Sequence, residues 1–254
     1  MANSIRVMSL AILSPSVLDT APVLDLHAPD GFFSVPVAVA MWAIAIVVIA
    51  ISVRRASDSF DERAIPLMGV TAAFIFAAQM INFPVVGGTS GHLLGAVLAA
   101  VLLGPWAGTL VMTSVIAVQS LLFQDGGLLA MGANIVNMGL IGTIGGYAIY
   151  RSVARVLGGE EKGRLPAAAL AAWMAVMLGA AATSLELAFS GTTTLAVVLP
   201  AMLGTHALIG VGEALITVGA LALIASARPD LLKLRDSRVE PVAASAPSLE
   251  LGES

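Results

Sequence analysis

Two of the three histidines in this chain stand in stretches rich in turn-forming residues rather than inside its apolar runs. His27 opens the stretch "HAPDGFF", and His92 follows the glycine-rich stretch "NFPVVGGTSG". Neutral imidazole is the commonest protein ligand for late transition metals. If both stretches lie on one face of the molecule, the two rings could share a metal ion. A histidine at a helix start also fits ordinary interfacial packing, so this alternative stays open.

The other candidates are polar side chains inside apolar runs, where they are costly and usually contact a partner or a cavity. His206 and Glu213 are two helical turns apart, so they share one helix face at about 10 Å, too far to chelate one ion together. Asn134 and Asn137 are three residues apart on a glycine-rich helix, where amides often hydrogen-bond between helices. We interpret these four as a lining or support for an outer site. Simple hydrogen bonding between helices is the commoner role of such groups.

The elements that carry these residues have the composition of membrane helices. The chain has 254 residues, of which 58% are hydrophobic and 11% charged, and its mean hydropathy is +0.97. Its apolar runs lack the alternating polar positions of a membrane β-barrel, and most reach the length of about 20 residues that a spanning helix needs. We therefore predict an all-α integral membrane protein with seven transmembrane helices. The predicted segments are residues 34–53, 64–81, 92–103, 106–123, 128–150, 165–189 and 195–225.

The positive charges predict the orientation of these helices. With seven spans, every Lys and Arg except Arg6 falls on one side of the membrane, and positive loops mark the cytoplasmic side. Six or eight spans would scatter the same charges over both faces. The N-terminus is therefore predicted outside and the C-terminus in the cytoplasm. His27 and His92 then both lie on the outer side.

Several classes of protein and site are excluded or disfavoured by composition. The chain has no cysteine, which excludes disulfides and thiolate ligands, and its net charge of −4 gives no indication of nucleic-acid binding. No G-x-x-x-x-G-K-[ST] motif is present, so the chain cannot supply ATP-driven energy itself. Residues 227–254 are polar and rich in Pro, Ser and Glu. We predict that they form a disordered cytoplasmic tail.

Five blocks in order along the chain carry a resemblance to a known family. The blocks are "HAPDGFF", "GVTAAFIFAAQMINFPVVGGTSGHLLG", "LLGPWAGTLVMT", "LLFQDGGLLAMGANIVNMG" and "HALIGVGEALIT". They resemble the cobalt/nickel substrate-binding component of energy-coupling factor transporters, the CbiM/NikM group. The resemblance covers about residues 27–225, so we predict a membrane domain over 26–226. It implies that the chain binds Co(II) or Ni(II) as transported substrate and is a transporter subunit rather than an enzyme.

The resemblance also implies partners and a location. Members of the group work with a transmembrane coupling subunit and cytosolic ATPase subunits, and often with a small accessory membrane subunit. The expected location is a bacterial cell (inner) membrane.

The resemblance further implies a set of metal ligands. The mature proteins of this group begin Met-His, so that the terminal amine, the deprotonated amide of the histidine and its imidazole bind one ion. An imidazole from the glycine-rich outer loop is the fourth ligand. Carried over by position, these ligands are His27, His92 and the terminal amine of Leu26. Four nitrogens in a plane suit Ni(II), Cu(II) and square-planar Co(II) better than tetrahedral Zn(II) or oxygen-preferring Mg(II).

The sequence departs from this pattern at its start, because Leu26 stands where the group has Met and residues 1–25 precede it. Three explanations remain open. Residues 1–25 could be a signal peptide, although cleavage after Ala21 would leave His27 at position six. The extension could be genuine, with other donors such as His206 or Met80 completing an altered site. The hypothesis we favour is a mis-assigned start, with Leu26 encoded by an alternative start codon and read as Met.

Other functions remain as alternatives to this interpretation. A passive metal channel or permease would work without ATPase partners. An intramembrane enzyme could use His206 with Glu186 or Glu213 as acid–base groups, but no H-E-x-x-H or G-x-S-x-G motif supports it. A vitamin-binding component of the same transporter class is disfavoured by the paired outer histidines. The residues do not discriminate cobalt from nickel, because both ions accept the same nitrogen donors.

Overall fold

The computed structural model describes residues 27–58, 64–80, 82–85 and 89–233, and these residues are mainly helical. Each of the seven predicted apolar segments contains a helix. The helices are α1 (Val35–Ser57), α2 (Ala64–Gln79), α3 (Ala96–Leu103), α4 (Pro105–Leu122), α5 (Met131–Asn134), a π-helix (Ile135–Gly145), α6 (Gly146–Val156), α7 (Glu160–Phe189), α8 (Leu195–Ala227) and α9 (Pro229–Lys233). In the described part of the chain, α1, α4, α7 and α8 are each long and apolar enough to cross a bilayer. The protein is therefore a multi-pass membrane protein.

The connection between α2 and α3 differs from the all-α prediction. Two short strands, β1 (Asn82–Val85) and β2 (Thr89–His92), form an antiparallel pair in which Asn82 lies opposite His92. The predicted helix start at His92 is also wrong, because α3 begins at Ala96. Gly95, immediately before the helix, adopts a left-handed φ of +72°, which glycine tolerates without a steric penalty. His92 is thus held on a strand and not on a helix.

The short helix α3 lies at the centre of the core. All eight of its residues are buried. Glycines in the neighbouring segments allow this close packing: a Cβ on Gly142 would lie 2.9 Å from the Cβ of Ala96, and one on Gly146 would lie 2.7 Å from Val97 Cγ2. Small residues let helices approach closely where no water is present. The segment that leads from His92 into α3 is therefore attached to a firmly packed element.

Contacts between elements show which residues lie at each end of the helix bundle. At one end the guanidinium of Arg55 lies 5.4 Å from the centre of the Trp106 ring, and Arg151 forms a 2.6 Å ion pair with Glu160. At the other end the Thr192 hydroxyl donates to the carbonyl of Phe32. Since α7 runs from the first end to the second and α8 returns, the described Arg and Lys residues gather at the first end.

Parts of the predicted terminal regions lie outside the described residues, namely residues 1–25, Leu26 and residues 234–254. Within the predicted disordered tail, Pro229–Lys233 is helical instead. Leu232 is buried there against the main hydrophobic core. The apolar surface available to this side chain accounts for the local order.

Candidate metal site

The structure brings His27 and His92 together although 65 positions separate them in the chain. Their ring centroids are 4.6 Å apart, with the ring planes inclined at 53°. Both residues are buried, with 4% of His27 and 8% of His92 exposed. The two imidazoles predicted from the sequence to be metal ligands therefore lie next to each other.

The His92 ring is held in one orientation. Its Nδ1 lies 2.7 Å from the carbonyl oxygen of Leu93, the next residue. Burial, and then the neighbouring His27 ring, lower the pKa of His92 to about 3, so the ring is neutral at neutral pH. A carbonyl oxygen can only accept a hydrogen bond, so Nδ1 carries the proton and Nε2 keeps its lone pair. This is the tautomer that a metal bound through Nε2 requires.

Two nitrogens of His27 face the same carboxylate. The main-chain N–H of His27 donates to Asp125 Oδ1 at 3.0 Å, and the ring Nδ1 lies 3.3 Å from Oδ2, without the alignment of a hydrogen bond. The main-chain nitrogen and Nδ1 therefore point to the same side of His27. Both ring nitrogens are buried, and neither makes a hydrogen bond with any described residue. A buried polar atom without a hydrogen-bond partner calls for an explanation, such as a bound ion, a water molecule or a catalytic role.

Asp125 was not among the residues singled out from the sequence. It follows Gln124, the one non-glycine residue of the described chain with a positive φ (56°). An acidic residue next to a glycine pair, in the otherwise uncharged stretch "FQDGG", is the signal that could have indicated it. Its partner in space is 98 positions away, so the sequence alone could not supply the contact.

Residues 27–33 form an arm that carries His27 and folds back through a turn. Gly31 has a φ of +93°, and the Phe32 N–H donates to the carbonyl of Pro29 at 3.4 Å. Asp30 Oδ1 accepts the main-chain N–H groups of Leu129 and Ala130 at 2.8 and 3.1 Å. This carboxylate therefore ties the arm to the loop that ends at α5.

The last residue of the arm is buried. Phe33 lies in a small apolar cluster. It packs there with residues from α1, α5, α7 and α8. The arm is therefore fixed inside the bundle and not only at its surface.

Close backbone approach in the 124–130 loop requires glycine. A Cβ on Gly126 would lie 2.7 Å from His27 Cβ, and one on Gly127 would lie 2.4 Å from the main-chain nitrogen of Asp30. Real Cβ atoms do not come this close to such neighbours. Gly126 and Gly127 thus form the surface on which the arm packs, which we call the glycine seat.

The four residues predicted to line the site divide into two groups. Asn134 makes a long contact of 3.5 Å from Nδ2 to the carbonyl of Ala28, and Glu213 accepts the N–H groups of Leu94 and Gly95. Both therefore touch the segments that carry the two histidines.

The other two residues bond elsewhere. His206 Nδ1 lies 2.8 Å from the carbonyl of Met202 in its own helix. Asn137 donates to Glu186 and Thr183 at 2.9 and 3.1 Å, which ties the π-helix to α7.

Side chains alone do not complete a metal centre in the described residues, because no group of three His, Asp or Glu side chains is placed to hold one ion. The nitrogens gathered here are those of two imidazoles and the main-chain nitrogen of His27, which could bind a metal only after losing the proton that it now donates to Asp125. A site built on these atoms is rich in nitrogen, which suits Co(II) and Ni(II) rather than Mg(II) or Ca(II).

Comparison with known proteins identifies the family. Residues 27–231 match the model of the cobalt uptake substrate-specific transmembrane region. The chain belongs to this family. The resemblance found in the sequence is thereby confirmed, and the protein is a membrane component of cobalt or nickel transport.

Individual relatives agree with this assignment. The chain is 39% identical over 220 residues to a protein of Haloquadratum walsbyi, covering 85% of this chain and 98% of that one. It is 30% identical over 230 residues to the fused nickel transport protein of Rhodobacter capsulatus, covering 85% of this chain and 66% of that longer one. The crystal structure of a transition metal transporter matches with a TM-score of 0.75 and 31% identity, covering 83% of this chain and 97% of that one.

The glycine seat generates a prediction about the arm. In Gly127→Ala the new Cβ would collide with the backbone of Asp30, so docking of the arm should weaken by about 1–3 kcal/mol. Hydrogen exchange of residues 27–33 should then be roughly 5- to 150-fold faster. The matched control is Gly179→Ala, since a Cβ there meets nothing within 4 Å. Unchanged exchange in Gly127→Ala, or an equal effect in both variants, would contradict the seat.

Proposed function

We propose that this chain is the substrate-binding membrane component of an energy-coupling factor transporter and captures Co(II) or Ni(II) at its outer face. The observation that supports this most directly is the convergence of His27 and His92. The main-chain nitrogen and Nδ1 of His27 both face the carboxylate of Asp125, and the tautomer of His92 leaves Nε2 available. Membership of a cobalt uptake family gives the class of ion.

The proposed ligand set consists of four nitrogens. They are the terminal amine of Leu26 when the chain begins there, the deprotonated amide and the Nδ1 of His27, and the Nε2 of His92. The amine, amide and imidazole of one dipeptide close two fused chelate rings, and the deprotonated amide cancels half of the charge of the ion. A smaller net charge is less costly to hold among apolar helices. A planar arrangement of nitrogens also disfavours Zn(II), which prefers tetrahedral coordination.

We infer a seven-span topology with the arm and β2 on the outer side of a bacterial inner membrane. The support is the gathering of the described Arg and Lys residues at the opposite end of the bundle, as the positive-inside rule requires. The chain has no Walker A motif, so the energy must come from cytosolic ATPase subunits acting through a transmembrane coupling subunit. A small accessory membrane subunit completes the proposed assembly.

Substitution of either histidine tests the site. His27→Ala and His92→Ala each remove one imidazole donor, so the affinity of the purified protein for Ni(II) or Co(II) should fall by about 100-fold. Titration followed by ligand-field absorption measures this directly. His206→Ala separates two versions of the site: retained affinity fits the proposed ligands, whereas a comparable loss indicates the altered site of a longer chain. Wild-type affinity in His92→Ala would overturn the proposal.

The start of the chain is a separate prediction, because the terminal amine can bind only if His27 is the second residue. We expect the native protein to have the mass of a chain that begins at Leu26 read as Met. Intact-mass measurement of protein expressed from its own gene, with and without nickel, reports the start and the bound ion together. A native chain that retains residues 1–25 and still binds the ion through His27 would contradict this part.

Dependence on partners separates a coupled transporter from a channel. Cells that carry this chain with its ATPase and coupling subunits should accumulate nickel or cobalt, and removal of ATPase activity should abolish accumulation above background. A catalytically inactive ATPase variant is the control for assembly, since the complex still forms. Undiminished uptake by the chain alone would favour a passive channel.

A further inference from the structure

One peptide group links His92 to a buried carboxylate. The carbonyl oxygen of Leu93 accepts the hydrogen bond from His92 Nδ1 at 2.7 Å. The other end of that same peptide group is the N–H of Leu94, which donates to Glu213 Oε2 at 2.9 Å. The second carboxylate oxygen, Oε1, accepts the N–H of Gly95 at 2.7 Å. The order of contacts is therefore imidazole, peptide group, carboxylate.

The same segment is held from its other side by α2. Gln79 Nε2 donates to the carbonyl of Leu94 at 2.8 Å. A Cβ on Gly95 would lie 2.7 Å from Ile75 Cγ1, so the backbone presses directly on that helix. Glu213 and Gln79 are 2% and 0% exposed, so both contacts are buried. The peptide beside His92 thus has little freedom to rotate.

We propose that Glu213 is a positioning residue of the metal site, acting on His92 through the Leu93–Leu94 peptide group. Rotation of this peptide would withdraw the carbonyl that holds the Nδ1 proton, and the ring would lose both its fixed tautomer and its direction. Metal-bound histidines commonly donate their second N–H to a carboxylate or a backbone carbonyl, and such partners tune affinity. Here the backbone carbonyl of Leu93 contacts the ring, and the carboxylate of Glu213 contacts the other end of the same peptide group. This inference rests on the proposed function, in which His92 Nε2 binds the ion.

The chain contains a matched residue for comparison. Glu186 on α7 is also a buried glutamate, at 4% exposed, but it accepts from the side chain of Asn137 and not from a peptide next to a histidine. Burial and residue type are therefore alike in Glu186 and Glu213, and only the partner differs. An effect specific to Glu213 would follow from its contact with the peptide.

The first measurement is made without metal. With three histidines in the chain, ¹⁵N-histidine labelling gives few ring signals, and the shifts of the His92 nitrogens report which one carries the proton. We expect the wild-type protein and Glu186→Gln to show Nδ1 protonated. In Glu213→Gln the amide oxygen can accept one N–H, but the NH₂ group faces the other, so a mixture of tautomers is expected. Wild-type His92 signals in Glu213→Gln would overturn the proposal.

The second measurement is Ni(II) affinity with the ligand-field spectrum. Glu213→Gln should weaken binding by about 10-fold and Glu213→Ala by about 10- to 100-fold with an altered spectrum, whereas Glu186→Gln should stay within about threefold. If the Glu213 variants fail to fold, Gln79→Leu removes the hydrogen bond to the Leu94 carbonyl. We expect this variant to change affinity and spectrum in the same direction. Equal losses in Glu186→Gln and Glu213→Gln with unchanged spectra would indicate a general stability role and refute positioning.

The two measurements also separate this inference from the proposed function. If His92→Ala binds Ni(II) like the wild type, the proposed site fails, whereas the tautomer experiment still reports on the Glu213 contact. If His92→Ala abolishes binding while Glu213→Ala changes neither spectrum nor affinity, only the positioning role fails.

Discussion

Backbone that leaves a helix inside an apolar bundle must find a partner for every peptide group, since no water is present to hydrogen-bond with it. This constraint governs the region around the two histidines. Asp30 satisfies the N–H groups at the start of α5, Asp125 satisfies the N–H of His27, and Glu213 satisfies the N–H groups before α3. The acidic side chains that stabilise irregular backbone are thus the same ones that place the imidazoles. Stability and site geometry have a common origin here.

The two halves of the site are held in different ways. The backbone after His92 leads into α3, whose residues are all buried. Leu94 in this backbone is hydrogen-bonded to Gln79 of α2 and to Glu213 of α8. His27 belongs to an arm that packs on the 124–130 loop at two glycines. The carboxylate of Asp30 in the arm accepts from the loop, and the carboxylate of Asp125 in the loop accepts from the arm. His92 is therefore held through the core helices, whereas the arm is held by Phe33 in its apolar cluster and by its contacts with the loop.

The sequence predicted the helices and the residues that meet, but not the contacts that bring them together. Long apolar runs are readable without a structure, because a bilayer imposes both length and composition. The pairing of His27 with His92 followed from topology, since both stretches were predicted on one side. The hairpin before α3 was missed, because a run of glycine and β-branched residues that joins two apolar segments is equally compatible with an open loop. Asp125 and the peptide partners of Glu213 lie about 100 positions from the groups they bind, and single-sequence patterns carry no information over that distance.

The two buried glutamates show why residue type and burial are insufficient to assign a role. On an apolar helix each could be interpreted as a proton carrier, a metal ligand or a link between helices. In the structure Glu186 bonds the side chain of Asn137, which holds two helices together. Glu213 accepts the N–H of the same peptide group whose carbonyl accepts the hydrogen bond from His92. A carboxylate that meets a side chain fixes the distance between two elements, whereas one that meets a peptide fixes the direction of whatever that peptide holds. Direction is what a metal site demands of an imidazole, because the lone pair of nitrogen binds along one axis only.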